Sequence, residues 1–366
     1  MSRKPTEQGT GRPGIRQVAE LAGVGIASVS RVLSGQPGSS TQLTERVLEA
    51  ARQLGYAPNV LAQSLRRRTT QSIGFVCADI TNPLLSSIVA GAESALSSAG
   101  YSVLVTNSGG VAAYEAERIK ALLQRQVDGL ILLPALENDP ATLAALRSAT
   151  VPIVVIDRTM PADLGAHGVL SDHEAGLGEA TRHLLRLGHR RLGLAVGRHV
   201  RPSRERVRGV EAGYRALGLE PDLMVDSGML SVEHGENAME RFLSDPRPPT
   251  AVLLGGIQLL EGALRAVRRR GLRLGDQLSL VCCDDSPLSR FHDPPVSTVH
   301  RDTALLGRRA AETLLAQIER PAPSEPLVLP TWFEARGSCG PAPAAAASTS
   351  VAAPPARRRS RKRAET

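Results

Sequence analysis

The chain has 366 residues, of which 42% are hydrophobic, so it is long and apolar enough to fold into two or three compact units. It contains no apolar run of roughly 18 residues, and its N-terminus MSRKPTEQGTGRPG lacks the apolar segment of a secretory signal, which excludes a membrane span and predicts a cytoplasmic protein. The net charge of +8 lies at the two ends, because residues 1–70 hold ten Lys and Arg against four Glu and residues 341–366 hold six against one. Such asymmetry is typical of a nucleic-acid-binding region on an ordinary globular chain, although a charge run alone is also compatible with solvated surface.

The first predicted elements are two short helices in GIRQVAELAGVGIASVSRVLSG, which begins at Gly14. The stripe that predicts the first helix consists of Ile15, Val18, Ala19 and Ala22. Gly23 is placed to end that helix by taking a positive φ, and a second helix begins after Gly25 with Val29, Val32 and Leu33 facing inward. The outward side chains at its start are Ile26, Ala27, Ser30 and Arg31. A helix-turn-helix presents such side chains to base edges in a major groove, whereas a helical hairpin without that role is the alternative.

A third helix is predicted after the loop GQPGSS. Ser40 can cap it, and the apolar stripe that follows is Val47, Leu48, Ala51 and Leu54. Three helices then form a head of about fifty residues, which buries little surface and would be marginally stable by itself. Residues 1–13, rich in Gly, Pro and charge, are expected to be disordered.

The stretch GYAPNVLAQSLRRRTTQ joins this head to the rest of the chain. Pro58 and Asn59 can begin a short helix, Leu65 lies near its end, and three arginines follow. The segment is unusually capable of forming a helix for a linker. A solvated linker with one stray leucine is the alternative.

From Gln71 onward, short apolar strands alternate with helical segments. The seven predicted strands are SIGFVCADI, YSVLVTNS, DGLILLPA, VPIVVIDR, RRLGLAVG, TAVLLGG and LSLVCCDDS, which lack alternation, as expected of strands covered on both faces. Helices are predicted near residues 83–99, 112–126, 174–187, 203–217, 258–270 and 302–319. This order predicts an α/β fold of doubly wound parallel sheets. Roughly 265 residues are many for one such sheet, so two lobes are expected.

These features resemble the lactose-repressor (LacI/GalR) family of bacterial transcription regulators. The likeness rests on GIRQVAELAGVGIASVSRVLSG, on AQSL between Pro58-Asn59 and a basic run, and on the pattern that continues to about Arg336. It departs at Gly14 and Gly25, where the family usually has Thr and Ser as helix caps, at a cost of a few tenths of a kcal/mol each. The resemblance implies a three-helix helix-turn-helix head plus a hinge helix, then a two-lobed core like that of a periplasmic binding protein. The implied crossovers between lobes lie near residues 167–172, 296–300 and 326–331.

The resemblance also implies partners. It implies a homodimer on a palindromic operator in double-stranded DNA, with paired hinge helices in the minor groove and a leucine wedged into the central base step. The DNA contacts that it assigns are Ile26, Ala27, Ser28, Ser30, Arg31, Asn59 and Leu65. The domains that follow are a disordered N-terminus at residues 1–13, a DNA-binding head at 14–58, a hinge at 59–70, a core at 71–336 and a disordered basic tail at 337–366.

Ligands of open α/β sheets bind beyond the carboxyl ends of the strands. Those ends carry Asp79, Asn107, Asp157, Gly255, Gly256, Asp284 and Asp285. A carboxylate can accept hydrogen bonds from two sugar hydroxyls, and an arginine presents a planar fork of donors, whereas an Asp after a strand can instead cap the next helix. The resemblance singles out Asp157, Arg206 and Asp284 as residues that contact the effector or support that contact.

The predicted effector site departs from the family pattern. Gly256 and Ile257 stand where the family commonly has Asn-Asp, which predicts the loss of a polar sugar contact. Leu84 and Leu85 stand where aromatic stacking platforms are used, and only 2% of the chain is aromatic. The expected pocket is therefore poorly suited to stacking a pyranose ring.

Three further arginines in GRHVRPSRERVRG lie near the same edge: Arg198, Arg201 and Arg204. Solvated loop charge is one explanation for them. The other is a preference for a sugar acid or phosphorylated sugar over a neutral sugar, because an arginine fork pairs bidentately with carboxylate or phosphate.

Enzymatic signatures are missing from the sequence. No P-loop, G-x-S-x-G or H-E-x-x-H occurs, and GLGEA lacks the third glycine of a dinucleotide fingerprint. His173, His183 and His189 are expected at helix surfaces or ends rather than on a metal. The four cysteines, expected to be reduced and buried, are Cys77, Cys282, Cys283 and Cys339. We therefore predict no catalytic residue, metal or cofactor.

The prediction is a sequence-specific transcriptional regulator, a repressor, controlled by a small molecule bound between the lobes of its core. A solute-binding transport protein would share the core but would need a signal peptide and would have no basic head. An enzyme on a doubly wound fold would need a catalytic constellation. A regulator whose core has lost its effector is a further alternative.

Overall fold

The structure is a computed structural model that describes residues 13–33, 38–56 and 69–343. Asn59 and Leu65 of the predicted hinge lie outside the described residues, as do residues 1–12 and the chain from residue 344 onward.

The head consists of three short helices around a small core: α1 (Ile15–Ala22), α2 (Ile26–Leu33) and α3 (Thr41–Gln53). Gly23 ends α1 with a φ of 61°, as predicted for this turn. The predicted cap of α3 is also confirmed, because the Leu43 N–H donates to Ser40 Oγ at 3.3 Å. Val18, Val29 and Val47 are fully buried where the three helices meet.

One detail of the head differs from the prediction. Leu48 is exposed, and Ala50 occupies the core in its place, because α3 turns a slightly different face inward. The end of α1 is held by Arg46, whose guanidinium on α3 donates to the carbonyls of Ala22 and Gly23. Gly14 lacks a capping side chain, but its N–H donates to Gln17 Oε1 at 2.6 Å.

The first of two lobes, the N-lobe, is a six-stranded parallel sheet in the order β11-β5-β4-β3-β1-β2. Its strands are β1 (Ser72–Cys77), β2 (Ser102–Asn107), β3 (Gly129–Leu132), β4 (Ile153–Ile156), β5 (His167–Ser171) and β11 (Leu327–Leu329). Its helices are α4 (Pro83–Ser98), α5 (Ala112–Gln124), α6 (Pro140–Arg147) and α12 (Thr303–Glu319).

The second lobe, the C-lobe, is a six-stranded sheet in the order β12-β10-β9-β8-β6-β7, in which the β10–β12 pair alone is antiparallel among its described pairs. Its strands are β6 (Arg191–Val196), β7 (Asp222–Ser227), β8 (Ala251–Leu254), β9 (Ser279–Cys283), β10 (Ser297–His300) and β12 (Trp332–Glu334). Its helices are α7 (His173–Arg186), α8 (Arg201–Arg215), α9 (Val232–Leu243), α10 (Ile257–Arg269) and α11 (Pro287–Phe291).

The chain passes between the lobes three times, close to where the crossovers were predicted. It leaves the N-lobe after β5, returns after β10, and crosses again between β11 and β12. The predicted crossover residues are themselves largely strand, because each crossing begins at a strand end.

Several elements were missed, and the missed strands lack the long apolar run used to predict the other seven. β7 is a partly exposed strand at the edge of its sheet. The other missed strands are only three to five residues long: β5, β10, β11 and β12. α6, α9 and α11 were missed because they are short or strongly polar.

The predicted end of the core at Arg336 is too early. Ser338 is fully buried, its Oγ donates to the Leu280 carbonyl at 2.6 Å, and the Ala342 N–H donates to the Leu187 carbonyl at 2.8 Å. Residues 337–342 therefore belong to the C-lobe. In the described part of the chain, the helices are too short or too polar to cross a membrane.

Candidate functional site

The start of α2 presents the side chains predicted to contact DNA. Ile26 is 45% exposed, Ala27 and Arg31 are exposed, and Ser28 and Ser30 are half-buried. Val29 faces the opposite way and is fully buried against α1 and α3. The small core therefore fixes α2 rigidly while its outer face stays accessible, as insertion into a groove requires.

A cleft of about 330 Å³ lies between the lobes, at the carboxyl ends of the strands in both sheets. The N-lobe contributes Ala78, Asp79, Asn82, Leu84, Leu85, Gly109, Gly110, Leu133, Ala135 and Arg158. The C-lobe and the second crossover contribute Gly197, Arg198, Val200, Pro202, Ser203, Arg206, Met229, Leu230, Gly255, Gly256, Gln258, Asp284 and Arg301. This volume falls within the range of small-molecule sites.

The structure brings two of the three predicted effector residues into the cleft wall. Arg206 on α8 and Asp284 after β9 line it, whereas Asp157 after β4 lies behind the wall and is only 2% exposed. Asp157 and Asp284 occupy matching places in the two lobes. Their N–H groups donate to the Val169 and Val299 carbonyls of the adjacent strands, at 3.0 and 2.8 Å.

Both aspartates have left-handed backbones, with φ values of 51° at Asp157 and 66° at Asp284. A non-glycine residue in this region carries strain, and such strain is commonly found at functional sites. The turn directs each carboxylate toward the crossover between the lobes, where both meet Arg301.

Arg301 follows β10 and was not predicted as a site residue. Its Nε donates to Asp284 Oδ1 at 2.7 Å and its Nη2 to Asp284 Oδ2 at 3.3 Å, while Nη1 donates to Asp157 Oδ2. Burial lowers the pKa of Arg301, but the two carboxylates outweigh it and raise that pKa above its ordinary value. Burial alone would raise the pKa of Asp157, yet His173 and Arg301 hold it well below its usual range.

Arg206 differs from Arg301 in having no carboxylate. The whole residue is only 4% exposed, and its Nε has no hydrogen-bond partner. Within the ranges that the structure describes, no carboxylate forms a salt bridge with Arg206. A buried guanidinium without a counter-ion is costly, and the cleft is the direction from which an anion can reach it.

The cleft carries an excess of positive charge. Four arginines line it, Arg158, Arg198, Arg206 and Arg301, against the two carboxylates of Asp79 and Asp284. Asp284 is already paired with Arg301, and Asp79 Oδ1 accepts from Thr81 Oγ at 2.7 Å. The electrostatic balance therefore favours a negatively charged ligand.

His173 lies at a helix end, as one of the predicted alternatives has it, because it is the first residue of α7, and it is buried beside this network. Its Nε2 lies 3.4 Å from Asp157 Oδ2, and burial together with the Arg206 charge lowers its pKa to about 4. His189 is buried as well, with ring nitrogens 2.8 Å from Thr250 Oγ1 and 3.0 Å from Ser279 Oγ. Both rings fill polar positions in the core at the two ends of α7.

The three additional arginines have different roles. Arg198 lines the cleft, and its Nη1 donates to the Gly110 carbonyl of the N-lobe at 2.9 Å. Arg204 pairs with Glu137 of the N-lobe at 2.8 Å, and the Arg201 N–H donates to the same carboxylate at 3.0 Å. Arg201 and Arg204 therefore link the lobes instead of facing a ligand.

The departures from the family pattern are partly compensated. Leu84, Leu85 and Gly256 line the cleft, and no described aromatic side chain does. The polar contact expected to be lost at Gly256 and Ile257 has a substitute, because the neighbouring Gln258 reaches the cleft. Gln258, Asn82 and Ser203 were missed, and only their positions at the starts of the helices that follow β8, β1 and β6 could have indicated them.

No group of three or more His, Cys, Asp or Glu side chains is arranged to hold a metal ion within the three described ranges.

Two protein-family descriptions match the chain. Residues 14–59 match "Bacterial regulatory proteins, lacI family", and residues 181–339 match "Periplasmic binding protein-like domain". The first match covers the head, and the second covers most of the C-lobe.

Known proteins match the head and the core together. The chain is 32% identical over 310 residues to the ribose operon repressor of Escherichia coli (strain K12), covering 84% of this chain and 93% of that protein. It is 33% identical over 341 residues to the HTH-type transcriptional regulator MalR of Streptomyces coelicolor, covering 90% and 97%. A crystal structure of the lac repressor dimer bound to operator and the anti-inducer ONPF has a TM-score of 0.79 and 28% identity, covering 90% and 99%.

Proposed function

Because the chain belongs to the LacI family of bacterial regulatory proteins and is a DNA-binding transcriptional repressor with a ligand-binding core, we propose that an anionic small molecule in the cleft controls its operator affinity. The single observation that carries this proposal is Arg206, which is buried in the cleft wall without a carboxylate partner. A carboxylate or phosphate would supply the missing charge through bidentate hydrogen bonds.

The ligand class that fits best is a sugar acid or a phosphorylated sugar. A ribose operon repressor is among the relatives, and Asn82, Ser203 and Gln258 add polar groups that can bind hydroxyls. Leucines in place of stacking aromatics disfavour a ligand held mainly by its ring faces. The alternative of a core without an effector does not explain why Arg206 is buried without a carboxylate partner.

On the DNA side, α2 enters the major groove. Ile26 and Ala27 are suited to apolar contact with thymine methyl groups, and Arg31 to guanine, with Ser28 and Ser30 beside them. Asn59 and Leu65 belong to a hinge that reaches the minor groove, where Leu65 wedges into a central base step. Two heads of a homodimer then match a palindromic operator.

The remaining parts of the proposal follow from this role. The protein works in the cytoplasm, where its DNA lies, and it catalyses no reaction and needs no cofactor. A transport function is disfavoured because the head of α1–α3 has no use in solute capture.

The test measures binding of the purified full-length protein to DNA from upstream of its own gene, by fluorescence anisotropy over a series of salt concentrations. We expect Arg31→Ala to weaken operator binding by about 1–3 kcal/mol, with a smaller loss on unrelated DNA. We expect Leu65→Ala to weaken specific binding about tenfold or more, since unstacking a base step costs a few kcal/mol that only extra contacts recover. Equal losses on both DNAs would reduce Arg31 to a phosphate contact.

The effector arm repeats this titration with inorganic phosphate, ribose, ribose 5-phosphate and gluconate. At least one anion should shift operator affinity, and Arg206→Met should abolish the shift while the protein still binds operator. Methionine fills similar volume without charge, so the change isolates the guanidinium. An operator affinity that no anion alters, or a response that survives in Arg206→Met, would contradict the proposal.

A further inference from the structure

Arg301 lies where a carboxylate from each lobe meets the same side chain. It follows β10 at the second crossover, lines the cleft, and has a side chain that is only 10% exposed. Its Nε and Nη2 form a fork on Asp284, while Nη1 contacts Asp157 on the opposite lobe. One guanidinium therefore pairs with a carboxylate from each lobe, and one of these, Asp284, is the carboxylate that could otherwise hold sugar hydroxyls in the cleft.

The carboxylate oxygens already accept hydrogen bonds from the protein. Asp284 Oδ1 and Oδ2 accept from Arg301 at 2.7 and 3.3 Å. Asp157 Oδ1 accepts from the Ser171 N–H at 2.7 Å, and Oδ2 accepts from Ser171 Oγ at 3.3 Å as well as from Arg301. A neutral sugar would have to compete with charge-assisted bonds for these acceptors, and such bonds are stronger than those from a hydroxyl.

The same arrangement explains why Arg206 lacks a counter-ion. Asp284 lines the cleft together with Arg206, but its two oxygens face Arg301. The cleft is thereby left with a guanidinium that has no carboxylate partner, while Asp284, which lines the cleft beside it, is already paired with Arg301.

We infer that Arg301 is a specificity-determining residue. By pairing with Asp157 and Asp284, it raises the affinity of the cleft for anionic ligands and lowers its affinity for neutral sugars. The inference rests on the proposed function and assigns its ligand preference to one side chain. Removing the Arg301 charge frees Asp284 to accept sugar hydroxyls or to pair with Arg206. Affinity for the neutral sugar then rises while affinity for the anion falls.

The experiment compares matched ligands on the full-length protein by isothermal titration calorimetry. The pairs are ribose with ribose 5-phosphate and glucose with glucose 6-phosphate, and inorganic phosphate serves as an anion without a sugar. We expect the wild type to bind one phosphorylated sugar at least tenfold more tightly than its neutral partner. Arg301→Gln should reduce this ratio at least tenfold and weaken phosphate binding.

Arg290→Gln is the matched control. Arg290 is 62% exposed, pairs with the adjacent Asp285 at 2.6 Å, and does not line the cleft, so its loss should leave the ratio unchanged. If circular dichroism shows that Arg301→Gln does not fold, the same titrations are made with Arg301→Lys. A lysine keeps the charge but reaches only one carboxylate. The ratio of the two sugar affinities should therefore fall measurably, but less than in Arg301→Gln.

The outcomes separate the two claims. A wild type that binds no anion in the set overturns the proposed function, and the inference with it. A wild type that prefers the phosphorylated sugar, with the same ratio in Arg301→Gln or Arg301→Lys, overturns the role of Arg301 and leaves the proposed function standing.

Discussion

The N-lobe and the C-lobe pack their helices in the same way but bury chemically different side chains at matching positions. Their strand orders, β11-β5-β4-β3-β1-β2 and β12-β10-β9-β8-β6-β7, are equivalent strand by strand. In the N-lobe α4 crosses α12 at Gly91, where a Cβ would lie 2.1 Å from the Ala304 carbonyl oxygen. In the C-lobe α8 crosses α7 at Gly209, where a Cβ would lie 2.5 Å from the Glu174 carbonyl oxygen.

Side chains at matching positions then diverge. Three residues before these glycines, the N-lobe buries Ile88 in its core and the C-lobe buries Arg206 beside the cleft. The first residue of the partner helix is Thr303 in the N-lobe and His173 in the C-lobe. The backbone geometry repeats because glycine contacts fix the helix spacing, whereas single side chains give the C-lobe its charged cleft wall.

The largest expected effect separates the two buried arginines. Arg301→Met should lower the free energy of unfolding by about 3–5 kcal/mol, because the buried Asp157 and Asp284 both lose the guanidinium that pairs with them. Arg206→Met is the matched control and should leave that free energy unchanged or raise it, because Arg206 has no carboxylate to lose. Urea denaturation of both variants at pH 7 measures the difference, and equal losses would remove the distinction drawn between them.

The second effect concerns pH and His173. Its folded-state pKa of about 4 lies below the ordinary value of 6.5, so between these values the unfolded chain binds a proton that the folded chain does not. Stability should therefore fall as the pH falls through this window, by about 3 kcal/mol from this residue. His173→Gln should flatten the slope of unfolding free energy against pH, whereas His199→Gln, at an exposed site, should not. An unchanged slope in His173→Gln would show that folding does not lower the pKa of this ring.

The third effect tests the equivalence of the helix crossings. Gly91→Ala and Gly209→Ala should each lower the free energy of unfolding by about 1–3 kcal/mol, because the added methyl meets a backbone carbonyl that cannot rotate away. Ser94→Ala, on the exposed face of α4, should stay within about 0.5 kcal/mol of the wild type. A loss in one lobe without a loss in the other would break the comparison.

The smallest effect concerns the link between the lobes. Arg204→Met removes the 2.8 Å ion pair with Glu137, which is partly exposed, and should cost less than about 1 kcal/mol. Arg208→Met removes pairs that lie within the C-lobe and should cost a similar amount. Only the first change should weaken the effector-dependent shift in operator affinity, because, of these two arginines, only Arg204 joins the C-lobe to the N-lobe. Equal weakening in both variants would exclude a linking role.

The sequence by itself determined the order of elements and most of the functional assignment. Helical spacing and glycine placement located α1, α2 and their turn, and continuous Val, Ile and Leu runs located the interior strands β1, β3, β4, β6, β8 and β9, together with the edge strand β2. These signals are local, because a helix stripe or a strand buried on both faces leaves its pattern within a few residues. The edge strand β7 and the polar helix α9 escaped, because polar residues leave them too few apolar positions in a row or on a stripe.

Only the tertiary structure decided the chemistry of the cleft. Asp157 and Asp284 looked alike in the sequence, since each follows a buried strand, yet one lies behind the wall and the other lines it. Arg301 carried no local signal, because its role arises from carboxylates that are 144 and 17 residues away along the chain. The charge that an ion meets in a cleft depends on which side chains neutralise one another across lobes, and long-range contacts of that kind leave no trace in residue spacing.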